Sequence, residues 1–87
     1  MSDIYEAIAV GLLEILRYPV GYTAKIKMTD VGWAVFYIDR DCYDIARIFM
    51  MPNYILILGG LFTSEKVSYD SPNLIEHIQM LMDGFYG

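Results

Sequence analysis

The chain has 87 residues, eleven acidic and six basic, with a formal net charge of −5. This length predicts one domain, residues 1–87, because a second hydrophobic core would not fit. The acidic balance disfavours nucleic acid as a partner, since affinity for phosphates depends on clustered lysine and arginine.

The chain is unusually apolar for its size. Hydrophobic residues make up 56% of it, and with glycine counted in place of tyrosine the share is about 55%, against roughly 45–50% in typical soluble domains. A small domain has proportionally more surface to cover. Part of this apolar surface is therefore expected to contact another protein, a second copy of the chain or a ligand.

The cellular address is expected to be the cytoplasm. The sequence has one cysteine, Cys42, which favours a reducing compartment. A secretory signal is not expected, because Asp3 and Glu6 precede the first basic residue, Arg17. A membrane span is not expected either, because the best apolar stretch, 7–16, is about ten residues long where a span needs about twenty.

The first predicted element is a helix that begins after Asp3 and ends before Pro19. Asp3 and Glu6 have the spacing of a capping box, in which each side chain pairs with a backbone amide at the start of a helix. Apolar residues recur at helical spacing, and most of the circumference is apolar. We expect this helix to be buried on more than one side.

Four strands are predicted next, at 22–29, 33–38, 43–51 and 54–58, with turns at 30–32, 39–42 and 52–53. The first alternates apolar residues with Thr23, Lys25, Lys27 and Thr29, which indicates one solvated face. The short connections predict antiparallel pairing. Residues 63–70 form either a loop or a fifth, edge strand through Lys66.

The last predicted element is a helix, with Ser71 as its cap, Pro72 in its first turn and Gly84 at its end. Its apolar residues share one face, and Gln79 is expected to point outward. The predicted fold class is α+β: a four-stranded antiparallel sheet, or a five-stranded one, flanked by an N-terminal and a C-terminal helix in the order α-β-β-β-β-α.

Strands two to four carry apolar residues on both faces. One set is mostly aliphatic and suits packing under the helices: Ala34, Phe36, Ile38, Ala46, Ile48, Met50, Ile55 and Ile57. The other is rich in residues that are enriched at interfaces, and from it we predict a partner-binding face of Trp33, Tyr37, Arg47, Phe49 and Tyr54. The alternative is that the two helices cover opposite faces of the sheet, which leaves no open face.

Catalytic and metal-binding residues are not predicted. Cys42 and His77 are the best candidates for a thiolate–imidazole pair, but Cys42 falls in a turn and His77 in a helix, with nothing in the sequence to link them. The segment 39–44 holds three aspartates, which could bind Mg²⁺ or Ca²⁺. It lacks the glycine and the glutamate of a calcium-binding EF-hand loop, and aspartate is a common turn residue.

The sequence therefore favours a small protein-binding inhibitor or regulatory module that occludes a surface of its partner, with no cofactor and no enzymatic activity. By size and acidity it resembles inhibitors carried by phages and mobile elements. The alternative is a homo-oligomeric domain, such as a homodimer, with a ligand pocket between subunits. A small enzyme that uses Cys42 and His77 is the least favoured class.

Overall fold

The computed structural model describes residues 3–18, 21–38, 44–59 and 63–85. Within them lie α1 (Ile4–Ile15), β1 (Thr23–Thr29), β2 (Gly32–Ile38), β3 (Asp44–Met50), β4 (Ile55–Gly59), β5 (Thr63–Val67) and α2 (Leu74–Phe85). The five strands form one sheet in the order β1-β2-β3-β4-β5, and all neighbours are antiparallel. The predicted α+β class is confirmed, and the fifth strand is present.

Both helices pack on the same face of the sheet. Residues from α1, α2 and the sheet form one hydrophobic core: Ala9, Leu12, Leu16, Val35, Ala46, Ile48, Met50, Ile55, Ile57, Val67, Ile78 and Met82. The strand residues of this core all lie on one face of the sheet. Val35, Ile48 and Ile57, for example, are paired across β2, β3 and β4, and paired residues point to the same side. The alternative in which the helices cover opposite faces is therefore wrong.

The β1–β2 connection is a two-residue turn. Thr29 pairs with Gly32, so Asp30 and Val31 form the tip. Gly32 has a φ of 127°, which favours glycine, and the Thr29 hydroxyl donates to its carbonyl oxygen at 2.6 Å. The sequence predicted a three-residue turn at 30–32. Because side chains alternate along a strand, this one-residue difference reverses the facing of β2.

The helix α1 begins as predicted, with Asp3 as its N-cap. The expectation that it is buried on more than one side is wrong, because Ile4 is 68% exposed and Ile15 is 57% exposed. The start of α2 also differs from the prediction: the helix begins at Leu74, after Asn73 with a φ of 56°. Neither helix in the described part of the chain is long and apolar enough to span a membrane.

Candidate interaction surface

The sheet face opposite the helices, which we call the outer face, consists of two rows of side chains that cross all five strands. The first row is Lys25, Phe36, Arg47, Leu58 and Ser64, and the second is Lys27, Ala34, Phe49, Leu56 and Lys66. None of these residues belongs to the core under the helices. The rows place apolar residues mainly on the central strands and lysines on both edge strands.

The outer face holds four of the six basic residues of the chain, Lys25, Lys27, Arg47 and Lys66. All four side chains are exposed. Neither row contains an acidic residue, and Glu65 on β5 alternates to the other face, where it pairs with Ile57. These two rows, within the described residues, therefore carry four cations and no acidic group, in a chain whose net charge is −5.

Two of the four cations lie over the ring of Phe36. Lys27 Nζ is 5.3 Å from the centroid of the Phe36 ring, and Arg47 Cζ is 5.2 Å from the same centroid. Phe36 meets the Phe49 ring edge-on, with 6.5 Å between their centroids. These distances fit cation–π attraction and aromatic pairing. The two charged groups therefore contact the apolar side chains of the sheet.

The structure divides the predicted partner-binding face between the two sides of the sheet. Arg47 and Phe49 lie on the outer face, and Tyr54 lies beside it, because Lys66 Nζ is 5.0 Å from the Tyr54 ring centroid. Trp33 packs against the core on the helix side, and Tyr37 pairs with the core residue Ala46. The prediction that all five residues share one face is therefore wrong.

Trp33 has a structural partner. Its indole Nε1 donates to Asp3 Oδ2 at 2.9 Å, and Asp3 Oδ1 accepts from the backbone amide of Tyr5 at 2.9 Å. A single carboxylate thus caps α1 and attaches the start of that helix to β2. The structure thus shows a contact of Trp33 with the start of α1, whereas its role in partner binding stays a prediction.

Sequence reasoning missed Phe36 and the lysines as part of this surface. The missing signal was the turn length: with a two-residue turn, Lys25 pairs with Phe36, so the solvated face of β1 must continue across Phe36. With a three-residue turn, Phe36 would share the facing of Ile26 instead. The alternation in β1 was correct, since Lys25 and Lys27 are exposed and Ile26 packs against the core.

The candidate catalytic and metal-binding residues are only partly within the described chain. His77 is exposed on α2, whereas Cys42 and most of the aspartate-rich segment, 39–43, lie outside the described residues. Among the residues that are described, no three His, Cys, Asp or Glu side chains group together as metal ligands would.

A small apolar cleft of about 260 Å³ lies on the helix side, lined by Ile4, Tyr5, Ile8, Pro52 and Tyr69. The hydroxyl of Tyr69 donates to the carbonyl oxygen of Met51 at 2.6 Å. Burial raises the pKa of Tyr69, and the nearby Tyr5 raises it further. This hydroxyl is already used within the chain, so the cleft offers a ligand mainly apolar contact.

Comparison of the chain with protein-family models, with curated proteins and with solved structures finds no match.

Proposed function

We propose that the protein is a binding module that acts as an inhibitor or regulatory subunit by covering a surface of a partner protein with its outer face. The observation that supports this proposal is the half-buried apolar centre of Phe36, Leu56 and Leu58, on a face that neither helix covers. A contiguous apolar patch with a polar rim is typical of a protein-binding site.

The proposal also includes a cellular compartment and a class of inhibitor. The single cysteine supports a reducing compartment such as the cytoplasm. Inhibitors carried by phages and mobile elements offer an analogy of size and acidity, with occlusion of a partner's site as the mechanism. The side chains at the centre of the outer face supply contact area, which is what occlusion requires.

The test is affinity capture from the native host, followed by binding measurements with the purified captured protein. The outer-face variant is Leu56→Gln/Leu58→Gln. Its matched control is Val10→Gln/Met80→Gln, which replaces two exposed apolar residues on the helices. We expect the outer-face variant to bind at least about tenfold more weakly, because central apolar contacts contribute most to interfaces, and the control to bind within about twofold of the wild type.

The opposite result would contradict the proposal. If the helix variant loses the partner and the outer-face variant keeps it, then the helices form the contact surface. Circular dichroism of both variants checks that each is folded before binding is compared.

A second candidate function, a homo-oligomeric domain, is supported by apolar residues exposed on the helices, since Ile4 is 68% exposed and Met80 is 65% exposed. Two copies cannot easily pair through their outer faces, because four cations would face four cations. A homo-oligomer would therefore use the helix side. Light scattering tests this candidate: a dimer that Ile4→Gln/Met80→Gln dissociates would support it, and a monomer at all concentrations would exclude it.

A further inference from the structure

We infer that the end of the sheet with the β1–β2 and β3–β4 turns binds a basic segment of a protein, with one aromatic side chain of that segment in the apolar cleft. This surface is separate from the outer face, so the inference goes beyond the proposed function and does not depend on it. We call it the turn-end surface and define it by Ile4, Met28, Val31 and Trp33 together with the cleft.

The residues of the turn-end surface are adjacent to one another. Met28 pairs with Trp33 across β1 and β2, on the side of the sheet that carries the core. The Trp33 indole donates to Asp3, which directly precedes Ile4, and Ile4 lines the cleft. Val31 lies at the tip of the turn that joins β1 to β2. The apolar surface therefore runs without a break from the β1–β2 turn to the cleft.

The turn-end surface holds half of the exposed large hydrophobic side chains in the described chain. Of six such residues, Ile4, Val31 and Met28 lie here, at 68%, 59% and 58% exposed. Single apolar residues scattered over a surface are ordinary, whereas a contiguous patch beside a cleft is typical of a binding site. The distribution therefore favours contact with a partner at this end.

Local structure does not account for these side chains. Turns favour glycine, proline, asparagine, aspartate and serine, yet Val31 occupies the tip, with only its backbone amide bonded to Thr29 Oγ1 at 3.3 Å. Edge strands are protected by charged residues, yet β1 carries the apolar Met28 on the side that α1 covers. Neither the turn nor the strand requires an exposed apolar residue at these positions.

The charges around the turn-end surface favour a basic partner. Asp30 lies at the tip of the β1–β2 turn, Asp70 follows a residue of the cleft, and both side chains are exposed. No lysine, arginine or histidine occurs in the described segments that form this end, 3–5, 28–33, 51–54 and 67–71. The lysines of β1 and β5 lie on the outer face. Lysine or arginine of a partner therefore meets two exposed carboxylates here.

The cleft determines the size of the central side chain. Its volume is about 260 Å³, and a cavity of about 150 Å³ is enough to hold benzene. The rings of Tyr5 and Tyr69 form part of its wall, and aromatic rings favour contact with other rings. The Tyr69 hydroxyl already donates to the Met51 carbonyl oxygen. One aromatic side chain therefore fits the cleft, as an anchor residue fits a pocket at an interface.

A protein segment accounts for the whole surface, whereas a small molecule or a membrane does not. A small molecule that fills the cleft leaves Met28 and Val31 uncovered. A membrane surface carries anionic lipids, which the carboxylates of Asp30 and Asp70 repel. A peptide places its aromatic anchor in the cleft while its neighbouring side chains cover the apolar surface and pair with the two carboxylates.

The test uses two synthetic peptides as probes. The lysine peptide has a Leu-Trp-Leu centre flanked by lysines on both sides, and its twin has glutamine at every lysine. N-acetyl-tryptophanamide represents a small molecule, and vesicles of phosphatidylserine and phosphatidylcholine represent a membrane. Shifts of the backbone amide NMR signals of the ¹⁵N-labelled protein measure binding and locate the contact, and co-sedimentation measures binding to vesicles.

A first pair of variants tests the apolar contact. The turn-end variant is Met28→Gln/Val31→Asn, and its control is Ile15→Gln/Met80→Gln, at two helix positions of similar exposure. We expect the lysine peptide to shift signals of the turn-end surface and to bind the turn-end variant about tenfold more weakly, because central apolar contacts contribute most to interfaces. The control should bind within about twofold of the wild type. The NMR spectra also show whether each variant is folded.

A second pair of variants tests the charge. The aspartate variant is Asp30→Asn/Asp70→Asn, which keeps good turn residues, and its control is Glu14→Gln/Glu76→Gln at exposed helix positions. Each raises the net charge by two. We expect the aspartate variant to bind the lysine peptide about threefold more weakly and the control to bind within about 1.5-fold of the wild type, because distant charges are screened at physiological salt.

Several outcomes would overturn the inference. If the glutamine twin binds as tightly as the lysine peptide, the basic chemistry is wrong. If N-acetyl-tryptophanamide binds as tightly as the lysine peptide, the cleft is a small-molecule site, and if the protein co-sediments with vesicles through this end, the partner is a membrane. Shifts that depend on protein concentration alone would identify a second copy. If no probe shifts the turn-end surface, the inference is rejected, and the capture experiment with the outer-face variant decides the proposed function separately.

Discussion

Asp3 uses both carboxylate oxygens at the junction between α1 and the sheet. One oxygen accepts from the Tyr5 amide and the other from the Trp33 indole. A cap residue holds the direction of a helix at its first turn, and the indole fixes that turn to β2. The position of α1 over the sheet therefore depends on a residue at the very start of the described chain.

We expect Asp3→Ala to lower the free energy of unfolding by about 2 kcal/mol, of which the lost cap accounts for about 1 kcal/mol and the hydrogen bond to Trp33 for about 1 kcal/mol. Glu14→Ala removes an exposed acid from the same helix and should change stability by less than about 0.5 kcal/mol. Urea denaturation measures both variants.

A double-mutant cycle with Trp33→Phe separates the two contributions. If Asp3 and Trp33 interact as the structure shows, the double variant loses less stability than the sum of the single variants, by about 0.5–1 kcal/mol. Strict additivity would mean that the hydrogen bond contributes nothing to stability.

Tyr69 gives the stability a dependence on alkaline pH. Burial is the main cause of its raised pKa, with a further contribution from Tyr5. The unfolded chain loses this proton near pH 10, whereas the folded chain retains it to a higher pH. The stabilisation is therefore fully present below about pH 10 and is lost as the pH rises through the folded-state pKa.

Comparison of the wild type with Tyr69→Phe isolates this effect. The difference in their unfolding free energies should be constant between about pH 7 and pH 9 and should shrink above about pH 10. Urea denaturation at a series of pH values measures it. Parallel curves up to about pH 11 would show that Tyr69 ionises equally in both states.

At the scale of secondary-structure elements, the side chain of Gln79 links α2 to the segment that follows α1. It is only 8% exposed, although the sequence pattern predicted that it points outward. Its Oε1 accepts from the Arg17 amide at 2.7 Å, and its Nε2 donates to the Arg17 carbonyl oxygen at 3.2 Å and to Asp83 Oδ1 at 2.9 Å. One side chain thus pairs both backbone groups of a residue just after α1.

We expect Gln79→Leu to lower the free energy of unfolding by about 1–3 kcal/mol, because it leaves the backbone groups of Arg17 without these partners in a partly buried place. Met80→Leu, at the exposed neighbouring position, should be neutral within about 0.5 kcal/mol. Equal stability of Gln79→Leu and the wild type would show that water replaces the side chain there.

The features that the sequence predicted well are local. The Asp3 cap, the alternation in β1 and the extent of β3 follow from neighbouring residues, and the structure reproduces β3 as 44–50 against a predicted 43–51. The features it missed depend on pairing over longer distances. The facing of β2 depends on one residue in a turn, and the role of Gln79 depends on a backbone segment 62 residues away.

The sequence predicted the positions of only some residues of the candidate site. Arg47 and Phe49 lie where the composition of β3 suggested, because β3 and β4 were assigned the correct relative facing. Trp33 was assigned to the wrong side, since a residue's preference for interfaces says nothing about which face of a sheet it occupies. The grouping of four basic residues with the apolar centre on one face becomes visible only when the five strands are paired.

At the scale of the whole molecule, the basic residues are concentrated: four of the six share the outer face, although the chain as a whole is acidic. Placing four cations on one face costs some stability, because like charges repel each other. The contacts of Lys27 with Phe36 and of Lys66 with Tyr54 offset part of that cost, since exposed cation–π contacts contribute about 0.5–1 kcal/mol each.

The stability of the lysine variant, Lys25→Gln/Lys27→Gln/Lys66→Gln, therefore tests whether these three side chains have a structural role. Its two lost cation–π contacts and its relieved repulsion are of similar size, so we expect its unfolding free energy to stay within about 1 kcal/mol of the wild type. Urea denaturation at low and high salt measures this. A loss above about 2 kcal/mol would mean that the lysines hold the sheet together. Near-neutral stability would show that the fold does not need these three charges, because their contacts with the rings and their mutual repulsion would then cancel.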